Sequence, residues 1–467
     1  MNMAVNDVNK EYAANLERWK VVADVADGAR AVKLNAAYLP MTSQCGDAEL
    51  DRARYLAYRS RAVFYPVTKD TLQNYVGLAF SEDPTFEPDG LDFLKDDADG
   101  SGKSIYQLNQ AALSYLLKFG RGGFFVDYPQ VEGGASVAEV KNNSIRPTVV
   151  LYSALDIINW RVKKVGGVFK TSLIVLLEKS MQIDPIDEFA EIEVKSYRVL
   201  RLDENNEYSI QVYSDETGQL IAGEIVYPTN AKGQKWTEIP FIPIGAQSND
   251  FKIDDIPLES LADINLAHYR NSAEYENAVF ICGQVQPVMT ELDEDWRDFL
   301  VKNGIKLGSM NPLLLPKGAK FEYISASIEM LAKEAMDAKF DYMQALGAKV
   351  LDKTNTVKTA TQVDAESLTQ HSVLSLCVSN LNEAAEYVLR WCAEYWGSGF
   401  DAVFSIKQDF ARGEIGLEQL KFYQSEVVRG AMSNQTFNEI KTTGKVPEIS
   451  FEDEQLRIEN ERNGMTV

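Results

Sequence analysis

Apolar residues return every three to four positions along three stretches in the second half of the chain, and polar runs separate them. Leu258, Ala262, Leu266, Tyr269, Ala273 and Phe280 trace one helix, expected to start after Asp254 and Asp255 with Pro257 in its first turn and to end near Gly283. Ile328, Leu331, Ala335, Ala338, Tyr342 and Leu346 trace a second, with Ser325 or Ser327 as its cap. Leu374, Cys377, Leu381, Ala385, Val388, Cys392 and Tyr395 trace a third, opened by a pattern resembling a capping box at Thr361 and Asp364 and stopped by Gly397-Ser398-Gly399. Unbroken, that third helix spans about 50 Å, a length suited to a coiled coil, a membrane or a large assembly. Pro287 to Ala326 is a small strand-rich insert between the first two, too short for a private core. Asp352 to Gln362 has little to bury beyond Val357 and Ala360, and is read as a loop.

Upstream, the pattern is mostly helical from Asn6 to about Gly120, with Tyr55, Tyr58 and Val63 in an Arg-rich segment and a helix from Ile105 to Phe119. After Gly122 and Gly123 the period shortens. Phe124 to Val126, Val149 to Tyr152, Leu173 to Leu177, Glu193 to Leu202 and Tyr208 to Tyr213 read as strands, and Trp236 to Gly245, with Pro240 and Pro243, as an edge segment. Ala402 to Phe410 is expected to return a strand to this sheet. Helices over Leu417 to Arg429 and Thr436 to Lys441 follow, then a charged tail from Phe451 expected to fray. The class is α+β.

With 467 residues, 45% of them hydrophobic, the chain is long enough for two or three domains. Its formal net charge is -22, from 47 Lys and Arg against 69 Asp and Glu, which argues against a protein that grips nucleic acid over its whole surface. Cys45, Cys282, Cys377 and Cys392 are scattered and read as reduced core residues in a cytosolic setting. The first ten residues lack the apolar core of a secretory signal, and Leu173 to Leu177 is far shorter than the ~20 apolar residues of a membrane span.

Motifs that suggest chemistry fail on their spacing. Gly102-Lys103-Ser104 matches the end of a phosphate-binding loop, but Asp97 stands where the first glycine is required. Asp97, Asp99 and Ser101 start like a calcium loop, but its twelfth position is Leu108 instead of a glutamate. Gly120-Arg121-Gly122-Gly123 follows a helix and reads as a helix stop. His268 and His371 are far apart and read as structural or interface residues. With 69 carboxylates, a pair at glycosidase spacing arises by chance and decides nothing. No catalytic, cofactor-binding or metal-binding residue is assigned.

The order helix, insert, helix, polar loop, long helix resembles the portal (head-to-tail connector) proteins of tailed bacteriophages. Leu261-Ala-Asp-Ile-Asn-Leu-Ala-His-Tyr-Arg-Asn-Ser-Ala-Glu-Tyr-Glu276, the turn from Gly283 to Pro287, Asp99 to Ser104 and Phe119 to Asp127 are similar to segments of a portal-like branch. The resemblance implies a wing domain over residues 1–253, helical and then β-rich, and a first stem helix over 254–285. It further implies a clip over 286–325, a second stem helix over 326–351 and a tunnel loop over 352–362. A long tunnel helix over 363–397 follows, then a returning wing strand and crown-like helices over 398–467.

It implies a ring of about twelve subunits at one capsid vertex, through which DNA enters during packaging and leaves during ejection. Terminase, the major capsid protein and head-tail adaptors are its expected partners, the virion and the host cytoplasm during assembly its place, and no enzyme activity, cofactor or membrane is involved. Val288, Trp296, Phe299, Leu313, Leu314 and Leu315 are the expected clip contacts between subunits, because three leucines in a protruding segment need cover. A lumen rich in lysines would stall DNA, so contact is expected to be weak and local. Lys349, Lys353, Thr354, Thr356, Lys358 and Thr359, in a basic, Thr-rich loop, are the expected contacts. The alternatives are a phage or bacterial scaffold that assembles without conducting DNA, and an unrecognised hydrolase. A central channel wide enough for a duplex separates the conducting ring from the scaffold, and the subunit count separates a ring from a small enzyme.

Overall fold

The structure, a computed structural model, describes residues 4–41, 46–129, 145–183, 187, 189–216, 219–284, 286–304, 315–324, 330–347, 360–408, 417–443, 447 and 449–462. Helices α1 (Lys10–Asp27), α2 (Ala29–Leu34), α3 (Ala48–Arg61) and α4 (Val67–Ala79) lead through strand β1 (Thr85–Glu87) to α5 (Ile105–Phe119). Strands β2 (Arg121–Asp127), β3 (Thr148–Ser153), β4 (Ile157–Val165), β5 (Val168–Ile183), β6 (Glu191–Leu202), β7 (Tyr208–Glu216), β8 (Gln219–Val226) and β9 (Phe241–Gly245) follow. Then come α6 (Glu259–Cys282), β10 (Gln286–Thr290), α7 (Glu294–Asn303), β11 (Lys320–Ile324), α8 (Leu331–Ala345), α9 (Ala360–Trp396) and β12 (Val403–Ser405). Helices α10 (Leu417–Arg429), α11 (Asn434–Thr443) and α12 (Phe451–Arg462) close the chain. The fold is mixed α+β, in two units, Met1–Ile406 and Lys407–Val467.

Helix α5 is the centre of the first unit. Ser104 starts it with a capping box, its hydroxyl accepting from the Gln107 N–H while the Gln107 side chain accepts from the Ser104 N–H. Ile105, Leu108, Ala112, Leu113, Leu116 and Leu117 are buried along it. Gly120 ends it with φ 68°, and three other elements complete its last turn. Trp19 of α1 donates its indole N–H to the Phe119 carbonyl at 3.0 Å, the Ala246 N–H reaches Gly120 at 3.0 Å, and the Leu258 N–H reaches Leu117 at 3.3 Å. Carbonyls that a helix end leaves orphaned thus anchor α1, the segment after β9 and the start of α6.

The Asp254 carboxylate accepts from the Gln247 and Ser248 N–H groups at 2.7 and 3.1 Å. This is why α6 begins at Glu259 instead of directly after Asp255: the aspartate folds the preceding loop and does not cap the helix. Asn265, fully buried on α6, accepts from the Thr68 N–H and hydroxyl and donates to the Tyr65 carbonyl. It thereby caps α4, whose own N-cap position, Pro66, offers no side-chain bond.

Strand β2 is central in an antiparallel sheet of order β3-β2-β9, and β4 to β8 form an antiparallel meander in chain order. Arg198 of β6 joins the two sheets, donating to Asp127 of β2 at 2.9 Å and to Glu178 of β5 at 2.7 Å. Helix α9, 37 residues long, spans about 55 Å and lays Cys377, Val378, Leu381, Ala385, Val388 and Cys392 on this body. The expected returning strand is corrected: β12 pairs with β1, not with either sheet, and Phe86, Phe404 and Tyr106 meet edge to face across that ladder. Strands β4 and β8 were not anticipated.

The backbone amides of the turn before α5 are already taken. Asp99 accepts from the Ser101 and Lys103 N–H groups and Asp97 from the Gly102 N–H, so a phosphate finds no free cradle there.

In the second unit the charged tail is a helix, α12, and its carboxylates explain it. Glu461 accepts from the Asn434 and Gln435 N–H groups and Glu454 from the Ser433 N–H, closing the start of α11, with Ile440 and Ile458 buried between them.

A Cβ at Gly120 would lie 2.8 Å from the Asp255 carbonyl oxygen, whereas one at Gly102, φ 96°, meets nothing within 4 Å. Gly102→Ala is expected to cost only the left-handed backbone penalty, about 1 kcal/mol, and Gly120→Ala that penalty plus displacement of the α6 root, together roughly 3 kcal/mol or more. Denaturant midpoints of the two variants check this, and equal losses would contradict it.

Candidate functional site: the projecting segment from α6 to α9

The buried residues of α6 end at Ala273, while Phe280 and Ile281 near its C-terminus are 45% and 56% exposed. The first half of this helix is therefore rooted in the body and the second half leaves it. Arg61 of α3 braces the departure, its guanidinium 4.1 Å from the Phe280 ring centroid and bonded to the Asn277 side chain at 2.7 Å.

At the far end β10 and β11 pair antiparallel, with Val288 opposite Glu322 and Met289 opposite Phe321. Between them α7 is capped by Asp293, whose side chain accepts from the Trp296 N–H at 2.9 Å, and none of its residues is buried. Met289, Leu292, Leu300, Val301 and Phe321 line an apolar hollow of about 230 Å³. Helix α8 returns against α6, burying Met336 and Met343 and leaving Leu331 70% and Tyr342 52% exposed. The Lys339 ammonium donates to the Asn271 side chain at 2.6 Å, tying the two helices.

Of the expected clip contacts, Val288, Trp296 and Leu315 are half-buried and Phe299 is exposed, with Trp296 and Phe299 edge to face at 5.5 Å. Leu313 and Leu314 lie outside the described residues, as do Lys349, Lys353, Thr354, Thr356, Lys358, Thr359, Ser325 and Ser327. Helix α9 begins at Ala360, three residues before the expected start at 363. Sequence reasoning missed Val301 and Tyr323, 84% and 60% exposed. Their signal was present as apolar residues spaced by two, Phe299 with Val301 and Phe321 with Tyr323, in an insert too short to bury them.

His268 sits on the inner face of α6, its ring 4.7 Å from that of Tyr65 and its Nδ1 without a bonding partner among the described residues. Burial, and next Lys339, hold its pKa below the ordinary 6.5, against the opposing pull of Asp337. Cys377 and Cys392 are buried on α9, and burial raises both thiols, Cys377 to about 12. Among the described residues no group of His, Cys, Asp and Glu is placed to hold a metal ion, and no helix is long and apolar enough to cross a membrane.

One family model matches residues 257–396, a domain of unknown function, DUF4055, and these bounds run from the root of α6 to the end of α9. No curated protein matches the chain. Among solved structures, a chain from the neck of an empty GTA particle computed with C6 symmetry is 11% identical with a TM-score of 0.41, covering 85% of this chain and 94% of that chain. A chain from the virion of a native gene transfer agent particle is 12% identical with a TM-score of 0.42, covering 92% and 99%. One from the neck of a native GTA particle computed with C12 symmetry is 11% identical with a TM-score of 0.39, covering 84% and 89%.

Because the folded pKa of His268 is lowered, the unfolded chain takes the proton first as pH falls. Its contribution to stability is complete above about pH 6.5 and is lost as pH drops below that value toward the folded pKa. His268→Gln is expected to flatten this part of the melting profile between about pH 8 and pH 5, and a profile parallel to that of the parent chain would contradict it.

Proposed function

We propose that the chain is a structural subunit of a phage-like particle, closing with its copies into a ring around a DNA channel at one capsid vertex. The carrying observation is the uncovered segment from the second half of α6 through α8. Phe280, Ile281, Phe299, Val301, Tyr323, Leu331 and Tyr342 are exposed on it together. Burying one such side chain is worth roughly 1.5 to 3 kcal/mol, so a free monomer forgoes several of these gains, and a neighbouring copy that covers the segment recovers them. A heterologous contact of this kind, repeated, closes into a ring when its rotation permits.

The order of elements supports the channel reading: two stem helices flanking a small α/β clip, then the stretch to residue 359 and a long helix lying on the body. The domain layout set out from sequence is part of this proposal, as are docking to terminase, capsid and adaptor proteins and the absence of any catalytic role for the chain. A net charge of -22 per subunit makes the wall repel DNA, which favours movement over tight binding. Lys349, Lys353 and Lys358, with Thr354, Thr356 and Thr359, are proposed to touch phosphates weakly and without reading bases. A scaffold that assembles through the same surface without conducting DNA is the second reading, and the uncovered segment supports it equally.

Phe299→Asp with Val301→Asp alters exposed positions on a helix that buries nothing, so the subunit is expected to fold with unchanged melting and to remain monomeric by native mass spectrometry. An assembly of unchanged mass and stability would overturn the interface. Lys353→Glu with Lys358→Glu is expected to leave the ring intact and lower the DNA packaged or retained. Unchanged DNA content would remove this loop from the channel contacts and favour the non-conducting scaffold.

A further inference from the structure

The meander β4 to β8 has two edges, and the fold treats them differently. The outer side of β4 is covered at its start, where the Asn9 N–H donates to the Ile158 carbonyl at 2.9 Å and the Asn159 side chain donates to the Asp7 carbonyl at 3.1 Å. Its second half carries Lys163 and Lys164, charges that discourage pairing with another strand. Strand β8 has no such cover, and its one charge is the acidic Glu224. Among the described residues it pairs with β7 alone, and Ile221, Ile225 and Val226 are 49%, 49% and 37% exposed. Its sequence, Gln-Leu-Ile-Ala-Gly-Glu-Ile-Val, contains no Lys, Arg or Pro. Eight residues give an open edge of about 27 Å.

Register places apolar side chains on both faces of that edge. Leu220, Ala222 and Ile225 stand beside Asp215, Tyr213 and Gln211 on one face, and Ile221 and Val226 beside Ser214 and Ile210 on the other. A bulge separates the two ends of the strand, and the Gln211 amide closes it by donating to the Gly223 carbonyl at 3.0 Å. The ladder is therefore finished on the β7 side, while alternate N–H and C=O groups point outward along the other. Charge selects the occupant. β7 and β8 carry Asp215, Glu216 and Glu224 and no Lys or Arg. Lys195 of β6 stands across from Asp215, so the carboxylate that faces solvent along the edge strand itself is Glu224, at an exposed position within β8.

We propose that β8 is a docking edge for an extended, basic segment of another protein, which adds as a sixth strand with Lys or Arg alternating with apolar residues. Main-chain bonds supply affinity, the apolar side chains of β8 grip alternate residues on both faces, and the carboxylates select a basic strand over an acidic one. A second copy of the same edge would set like charges together, so it is not the occupant. The proposal is independent of the ring reading, since it concerns the meander and not the projecting segment.

The test uses the full chain and a fluorescent peptide in which Lys alternates with Val, beside a control with Glu in place of Lys. The Lys peptide is expected to bind, more tightly as salt is lowered, and to slow hydrogen exchange of the amides of residues 219–226, while the Glu peptide does not bind. Glu224→Lys with Ile225→Lys, both at exposed positions, is expected to weaken the Lys peptide at least about tenfold with unchanged melting. Absence of binding, equal binding of the two peptides, or binding unaffected by the double substitution would overturn the proposal. So would protection of residues 219–226 that rises with protein concentration alone, which would make a second copy the occupant.

Discussion

The left-handed turn at Gly120 is the constraint on which the rest of the first unit depends. A helix ending in the interior must find donors for its last carbonyls, and here they come from α1, from the segment after β9 and from the start of α6. Because the Asp254 and Asp255 carbonyls pack against Gly120, no side chain fits, and the root of α6 is fixed relative to α5 and β2. Asn380 of α9 donates to the Gly245 carbonyl in the same neighbourhood, so the long helix shares this anchor. One glycine thus sets where the projecting segment leaves the body and where the long helix lies.

That rigidity gives the projecting segment its meaning. Its inner half is held by buried side chains and by Asn265, and its outer half, among the described residues, by Arg61, the α6–α8 contact and a two-stranded ladder. An isolated two-stranded ladder with one short helix is marginal in water. A segment so built, on a fixed root and with aromatic and aliphatic groups outward, suits a surface completed by neighbours. In the proposed ring, the acidic charge of the chain suits a channel wall past which DNA moves.

How much of this was legible in the sequence follows from which forces are local. Helix α5 could be read to the residue because Ser104, Gln107 and Gly120 mark its ends with local hydrogen bonds. Strands β5, β6 and β7 were found through their apolar cores, but β8 has exposed residues on both faces, and β4 mixes Asn159, Arg161, Lys163 and Lys164 into its run. The β1–β12 ladder joins Phe86 to Phe404, a pairing no local pattern encodes. The tail helix α12 looked like a fraying charged end because its carboxylates serve the amides of α11, a partner that periodicity cannot show. Of the site, the helix order and the apolar character of the insert were legible. Which apolar groups face outward was not, since that depends on where α6 leaves the body.

Electron microscopy of the purified full-length chain, viewed down the assembly axis, tests the central claim most directly. The account requires closed rings with a central opening that passes a DNA duplex and the projecting segments packed side by side around it. Isolated monomers with the projecting segment uncovered, or closed particles with no such opening, would contradict it.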